Sequence, residues 1–309
     1  MGVISTAGLT MAFGPHRALD DLTVEVEGGV TGLVGANGAG KTTLMSILLG
    51  LRFPTAGRCE VLGLDPLSHG AELRARVGYG PERNVLPEDM PASDFVKHLA
   101  EVRGLPRSEA RGRASDALWL VGLGEERFRL LGSMSTGQRQ RVKLAQAIAA
   151  DPSLVLLDEP TDGLDPVQRD EMLALIRQIS TEFGIDVMLS SHLLEEVERI
   201  CDNVVALDAG RLVAHGRLDV LVGADEGVIV ELVPIDDRPD AIAQVVAELS
   251  REGLDVRHDA GTGRMEVRGD DPDVIADRVR DAVAEAGARL GRISQRRRRL
   301  EDLFEGARR

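Results

Sequence analysis

A chain of 309 residues has room for one large domain and a smaller one, each with its own core. Its formal net charge of −14 argues against nucleic acid as a main partner, because neutralising phosphates takes a surplus of Lys and Arg. The longest apolar runs, residues 43–51 and 154–157, fall far short of a membrane span, and no basic-then-apolar leader opens the chain, so the expectation is a cytoplasmic protein.

Residues 9–26, LTMAFGPHRALDDLTVEV, look like a pair of strands, and they carry Phe13, one of only 8 aromatic residues. The next stretch, VTGLVGANGAGKTTLMSILLG, combines a short strand at residues 30–34, a match to GxxxxGK[ST] at residues 35–42, and an apolar helix start. Glycines at 35, 38 and 40, with Asn37 and Ala39 between them, let consecutive backbone N–H groups curl around phosphates, and the helix end adds its positive pole. Lys41, one of 3 lysines against 34 arginines, is placed to pair with β- and γ-phosphate oxygens. The Thr42 hydroxyl is placed to ligate Mg²⁺, with Thr43 following it. Cys59 and Cys201 form no CxxC pair and read as packed apolar residues.

From residue 86 to about 114 the chain is punctuated by proline and then helical and amphipathic. LGSMSTGQRQ (131–140) opens a helix over residues 138–150, with Ser135 as its cap and Val142, Ala145, Ile148 and Ala149 packing inward. SLVLLDEPTDGLDP (153–166) holds a strand buried on both faces, with Asp158 and Glu159 at its carboxyl end. Asp158 is suited to hold Mg²⁺, and Glu159 to orient or deprotonate an attacking water. Asp165 and Pro166 supply cap chemistry for the following helix, which is sufficient reason for both. DVMLSSHLLEEVERICD (186–202) gives another apolar strand leading into His192, a position that is commonly structural when seen alone.

After Gly223 the reading changes to strand 227–233, helix 239–253, strands 254–258 and 264–268 joined by AGTG, helix 271–287 and strand 288–294. That βαββαβ order is ferredoxin-like, and a short helix closes it at residues 300–306. The run Arg296 to Arg299 reads as a solvated or ion-paired face, with a membrane or partner contact as the alternative.

In this order the motifs resemble one family, the ATP-binding subunits of ABC transporters, over residues 3–220: GANGAGKTT as Walker A, MSTGQ as the signature, LVLLDEP as Walker B, TDGLD as the D-loop, and His192 as the switch histidine. The resemblance implies a P-loop NTPase cassette of α/β class (a RecA-like core with antiparallel β and helical subdomains) over residues 1–222. It also implies an accessory domain over residues 223–309. It implies ATP and Mg²⁺, phosphoryl transfer to water, Phe13 stacking on adenine, and catalytic roles for Lys41, Glu159 and His192. Two copies would pack head to tail, so that Ser135, Gly137, Gln138 and Asp165 of one face the nucleotide held by the other. A separately encoded integral-membrane permease would be the further partner, placing the chain peripherally on the inner face of the membrane.

Two positions depart from the family pattern. Met134 and Thr136 replace the first residue and first glycine of the usual LSGGQ, and Glu82 in VGYGPER stands where the family carries a metal-sensing glutamine. A carboxylate still ligates a metal but adds charge and loses the amide donor. The tail resembles those of bacterial drug and natural-product exporters. Importer subunits, translation or DNA-repair ATPases, and a catalytically dead binding module are the alternatives.

Overall fold

The computed structural model describes residues 2–82, 86–222, 224–233, 240–259, 262–269, 271–297 and 299–307. The chain forms two compact units, one running to Leu218 and taking in the chain again from Leu303, the other spanning Asp219–Asp302.

In chain order the first unit contains β1 (Ile4–Phe13), β2 (His16–Val26), β3 (Val30–Val34), α1 (Lys41–Leu48), β4 (Ala56–Val61), α2 (Gly70–Arg76), β5 (Val77–Gly80), α3 (Ala92–Val102) and α4 (Arg107–Leu120). It continues with α5 (Thr136–Ile148), β6 (Leu154–Leu157), α6 (Pro166–Phe183), β7 (Asp186–Ser191), α7 (Leu194–Ile200), β8 (Asn203–Asp208) and β9 (Arg211–Arg217), and α8 (Leu218–Leu221) straddles the division.

A six-stranded sheet in the order β5-β6-β7-β3-β8-β9 forms the centre, parallel except where β9 pairs antiparallel to β8. Every residue of β3 and β6 is buried, which is why LVLL is apolar throughout rather than alternating. Because β6, β7 and β3 are neighbours, the segments leaving their carboxyl ends emerge side by side along one edge, where ligands bind in open parallel sheets. One face of the sheet shares a core with α1 and an antiparallel sheet of order β2-β1-β4, through Leu33, Leu44, Ile47, Leu19 and Leu22. The other face packs with α3, α4, α5 and α6 through Val96, Leu118, Leu144, Val155 and Ile176.

The second unit contains β10 (Ala224–Val233), α9 (Ala241–Arg251), β11 (Asp255–Asp259), β12 (Arg264–Arg268), α10 (Pro272–Ala286), β13 (Arg289–Arg297) and the start of α11 (Leu300–Ala307). Its antiparallel sheet runs β11-β12-β10-β13, the ferredoxin-like order, and buries Val228, Val230, Met265 and Val267 with Val245, Leu249 and Val279 from the helices. The AGTG turn and the Arg296 to Arg299 run lie partly outside the described residues. Within them Arg296 is buried and ion-paired, 2.7 Å from Asp302 Oδ1 and 3.4 Å from Glu266 Oε2.

The helix expected at residues 138–150 begins at Thr136 and ends at Ile148. A reciprocal cap accounts for the early start: Ser135 Oγ accepts from the Gln138 N–H at 3.2 Å, and Gln138 Oε1 accepts from the Ser135 N–H at 3.1 Å.

Candidate nucleotide site

The phosphate loop leaves the buried end of β3 and enters α1 at Lys41. Gly40, the residue before the helix, takes φ 105°, and a Cβ there would lie 2.5 Å from the Ala18 carbonyl oxygen, so glycine alone fits. Over the loop opens a cleft of about 430 Å³. Its floor is formed by Asn37, Gly38, Ala39, Gly40, Lys41, Thr42 and Thr43. Phe13, His16, Glu82 and Glu159 stand around it. A curled run of N–H groups at a helix start, backed by the helix dipole, is a phosphate cradle. Gly35 is not among the residues lining the cleft, and its carbonyl accepts a 2.7 Å hydrogen bond from Lys41 Nζ.

Phe13 at the end of β1 is 42% exposed, with the Arg52 guanidinium 5.3 Å from its ring centre. A ring half open on a cleft wall presents a π-face to a flat partner, which a core phenylalanine does not.

Asp158 and Glu159 follow β6, and His192 follows β7. Glu159 is engaged on both oxygens: Oε1 lies 3.2 Å from Lys41 Nζ, and Oε2 lies 2.8 Å from His192 Nδ1. Its backbone is left-handed, φ 47°, a conformation that costs a non-glycine residue about 1–3 kcal/mol unless its surroundings enforce it. Ser190 supplies that enforcement. Its hydroxyl accepts the Glu159 N–H at 2.8 Å and donates to Asp158 Oδ1 at 2.7 Å.

The second Asp158 oxygen, Oδ2, is buried and has no hydrogen-bond partner among the described residues, an orphan that a cation would satisfy. With the Thr42 hydroxyl on the cleft floor, this donor set fits Mg²⁺, which takes one or two protein oxygens and keeps waters and phosphates for the rest. Among the described residues no group of three or more His, Cys, Asp and Glu side chains gathers at metal-holding spacing.

Glu82, just past β5, lines the same cleft, and its main-chain carbonyl accepts from Lys143 Nζ at 2.9 Å. Burial pushes the Lys143 ammonium down to about 8, against the opposing pull of Asp158, Asp162 and Glu82. Burial pushes the neighbouring Tyr79 phenol up to about 12, with Asp158 and Glu82 adding to the shift.

The signature residues are positioned elsewhere. Ser135 and Gln138 cap α5, Gln138 Nε2 donates to Glu126 Oε1 at 2.7 Å, and Gly137 is buried. Met134 is buried in the helical core, so it keeps the packing role of the leucine it replaces. The Thr136 methyl sits 3.3 Å from where a Cβ on Gly163 would stand, bringing the signature and the D-loop into near contact. Asp165 caps α6, accepting the Gln168 N–H at 2.9 Å.

Sequence reasoning missed four residues that shape this edge. Ser190 and Ser191 immediately precede His192 in SSH, and small hydroxyls at a strand end beside a carboxylate pair were the available signal. Glu196 is buried and accepts from Thr161 Oγ1 at 2.9 Å and Ser191 Oγ at 2.7 Å. Lys143 is a lysine in a chain nearly devoid of them.

The family model described as ABC transporter matches residues 19–162. A daunorubicin resistance ATP-binding protein of Streptomyces coeruleorubidus is 32% identical over 308 residues, covering 97% of this chain and 94% of its own. The bacitracin transport ATP-binding protein of Bacillus licheniformis is 35% identical over 71% of each chain. A methionine import ATP-binding protein of Mesorhizobium japonicum is 33% identical over 85% of this chain and 75% of its own. Among solved structures, an ATP-binding subunit of an ABC transporter superposes with TM-score 0.63 at 28% identity, covering 71% of this chain and 91% of that one. The dimeric structure of a bacterial ABC transporter cassette superposes with TM-score 0.62 at 25% identity, covering 70% and 98%. With a family model over the segment that holds the phosphate cradle and the carboxylate pair, and relatives aligned along most of their lengths, the chain belongs to the ABC transporter ATP-binding proteins and is an ATPase whose hydrolysis serves transport.

Proposed function

We propose that the chain is the ATP-hydrolysing subunit of an ABC exporter, in which two copies packed head to tail share two MgATP and drive a separate membrane permease. The observation that carries the dimer is a division within one chain. Among the described residues, those lining the phosphate-loop cleft include none of Ser135, Gly137, Gln138 or Asp165. Ser135 and Gly137 nonetheless begin a helix whose end is suited to an anion, so a second copy's nucleotide is the fitting occupant. That a solved cassette of this fold is dimeric supports two copies acting together.

In this reading the loop N–H groups and Lys41 hold the β- and γ-phosphates, and Phe13 stacks on adenine. Thr42, Asp158 and Glu82 hold Mg²⁺, which neutralises phosphate charge when bound. Glu159 takes the proton of the attacking water. When Glu159 is ionised, His192 Nδ1 is the donor between them and fixes the carboxylate, leaving Nε2 for the phosphate side. The protein's contribution is positioning and electrostatics.

Residues 1–222 form the ATP-binding cassette in this proposal, and residues 223–309 an accessory domain that props the dimer. Export of drugs or other hydrophobic compounds is supported by the daunorubicin relative, which aligns through the C-terminal unit. Import is the second reading, favoured by the methionine relative at similar identity. Transport relatives favour either over a translation or repair role. No described helix is long and apolar enough to cross a membrane, which fits a subunit held at the inner membrane face by its permease. The test is the concentration dependence of ATP hydrolysis by the purified chain, with and without co-expressed permease. Shared sites predict activity rising with the square of protein concentration at low concentration, whereas linear activity would remove the shared-site reading.

A further inference from the structure

One side of α5 carries three donors at three-residue spacing, each bonded to a main-chain carbonyl at the nucleotide edge, one in the turn after β6 and two in β5 and its exit. Gln140 Nε2 donates to Asp162 O at 3.0 Å, Lys143 Nζ to Glu82 O at 2.9 Å, and Gln146 Nε2 to Tyr79 O at 2.7 Å. Gln140 and Lys143 are both buried. Residues three apart on a helix share a side, so this is one stripe. The helix also lies against β5 with no room to slide: a Cβ on Gly78 would stand 2.2 Å from the Ala147 carbonyl oxygen. Buried donors and acceptors without alternatives are costly to separate, so the three contacts move together or not at all.

We propose that α5 is a strut that fixes the Glu82 segment of the chain's own metal side and the signature at its amino end as one rigid piece, with Lys143 as the positioning residue for Glu82. The proposal rests on the reading above, in which Glu82 faces Mg²⁺ and Ser135 faces the second nucleotide. Lys143 is suited to the task by chemistry and place. An ammonium on a long stem reaches a carbonyl that neither Asn nor Gln at that position would reach, and its charge faces Asp158, Asp162 and Glu82. The Glu82 carboxylate can hold one direction into the cleft only if the backbone beneath it is held, and among the described residues Lys143 Nζ is the side chain that bonds the Glu82 carbonyl. Through α5 the same bond sets where Ser135 and Gly137 stand. A metal at one nucleotide is thereby felt at the other.

The test is the Mg²⁺ dependence of binding of a fluorescent ATP analogue, measured by direct titration with no turnover required. Lys143→Met keeps the unbranched apolar stem of the side chain, one atom shorter, but removes the donor, and exchanging a buried charge for an apolar group of similar volume is often tolerated by folding. The expected result is a split: affinity in EDTA within twofold of wild type, and a Mg²⁺ midpoint raised tenfold or more. Gln146→Met, at a half-buried position on the same stripe, gives a second variant expected to raise the midpoint several-fold. Midpoints within twofold of wild type in both variants overturn the strut while leaving the ATPase reading intact. A wild-type chain whose nucleotide affinity ignores Mg²⁺ overturns both at once.

Discussion

His192 Nδ1 and Glu159 Oε2 lie 2.8 Å apart at the ends of adjacent strands, the histidine fixing one oxygen of a carboxylate whose other oxygen lies 3.2 Å from Lys41 Nζ. The contact makes Glu159 a held group, and held geometry is what a base needs for a water in line with a phosphate. Glu159→Gln preserves shape and loses the basic oxygen. Hydrolysis is expected to fall about 10²–10⁴-fold, the usual worth of a positioned base. ATP binding should survive, and two copies should persist together on ATP in size-exclusion chromatography. Turnover at the wild-type rate would assign the base elsewhere.

Ser190 is the hinge of the carboxylate pair, since one hydroxyl serves both the Glu159 N–H and Asp158 Oδ1. Ser190→Ala strands a buried donor and a buried acceptor. Stability should drop by about 1–3 kcal/mol, visible as a lower melting temperature without nucleotide. Hydrolysis should fall as well, because φ 47° at Glu159 then lacks its restraint. An unchanged melting temperature would mean that the bonds contribute nothing.

The cysteines give a check on packing independent of nucleotide. Burial raises the Cys59 thiol to about 11, with Asp65 and Glu60 adding to it, and raises Cys201 further in the same direction. A thiol with a pKa near 11 is about one part in a thousand thiolate at pH 8, and the thiolate is the reactive form. Iodoacetamide at pH 8 should leave both unmodified in the native chain and alkylate both in denaturant, read by intact mass. Rapid native labelling of Cys59 would show that β4 does not pack as described.

The fold and the outline of the site were legible because both are written in local patterns. An all-apolar LVLL, too short for a helix and closed by two acids, reads as a strand buried on both sides, and GxxxxGK[ST] between a strand and a helix reads as a phosphate loop. The βαββαβ order of the tail was equally local, since each element carries its own periodicity. What escaped the sequence was long-range. Ser190 meets Asp158 only because β6 and β7 are neighbours in the sheet, Glu196 on α7 meets Thr161 in the turn after β6, and Lys143 finds Glu82 across 61 positions. No spacing along the chain encodes such meetings. The early start of α5 was encoded too: Ser135 reads as the cap, and with Gln138 three residues on it makes a capping box, which starts the helix at Thr136 and not at Gln138 as the apolar pattern alone suggests.

Phe13 allows the base and the phosphates to be separated by experiment. Its ring is 42% exposed on the cleft wall, so replacing it removes little from the core. Phe13→Ala should leave the melting temperature of the free chain nearly unchanged. It should weaken ATP binding by about 1–3 kcal/mol, the usual worth of an aromatic platform under a base. Inorganic triphosphate has no base, so its competition for the site should be unaffected, and Phe13→Tyr, which keeps the π-face, should bind ATP as wild type does. Equal losses for ATP and triphosphate would mean that the ring supports the phosphate loop instead of stacking on adenine. The Arg52 guanidinium, 5.3 Å from the ring centre, then becomes the group to remove next, because a cation over that ring would be holding β1 against the loop.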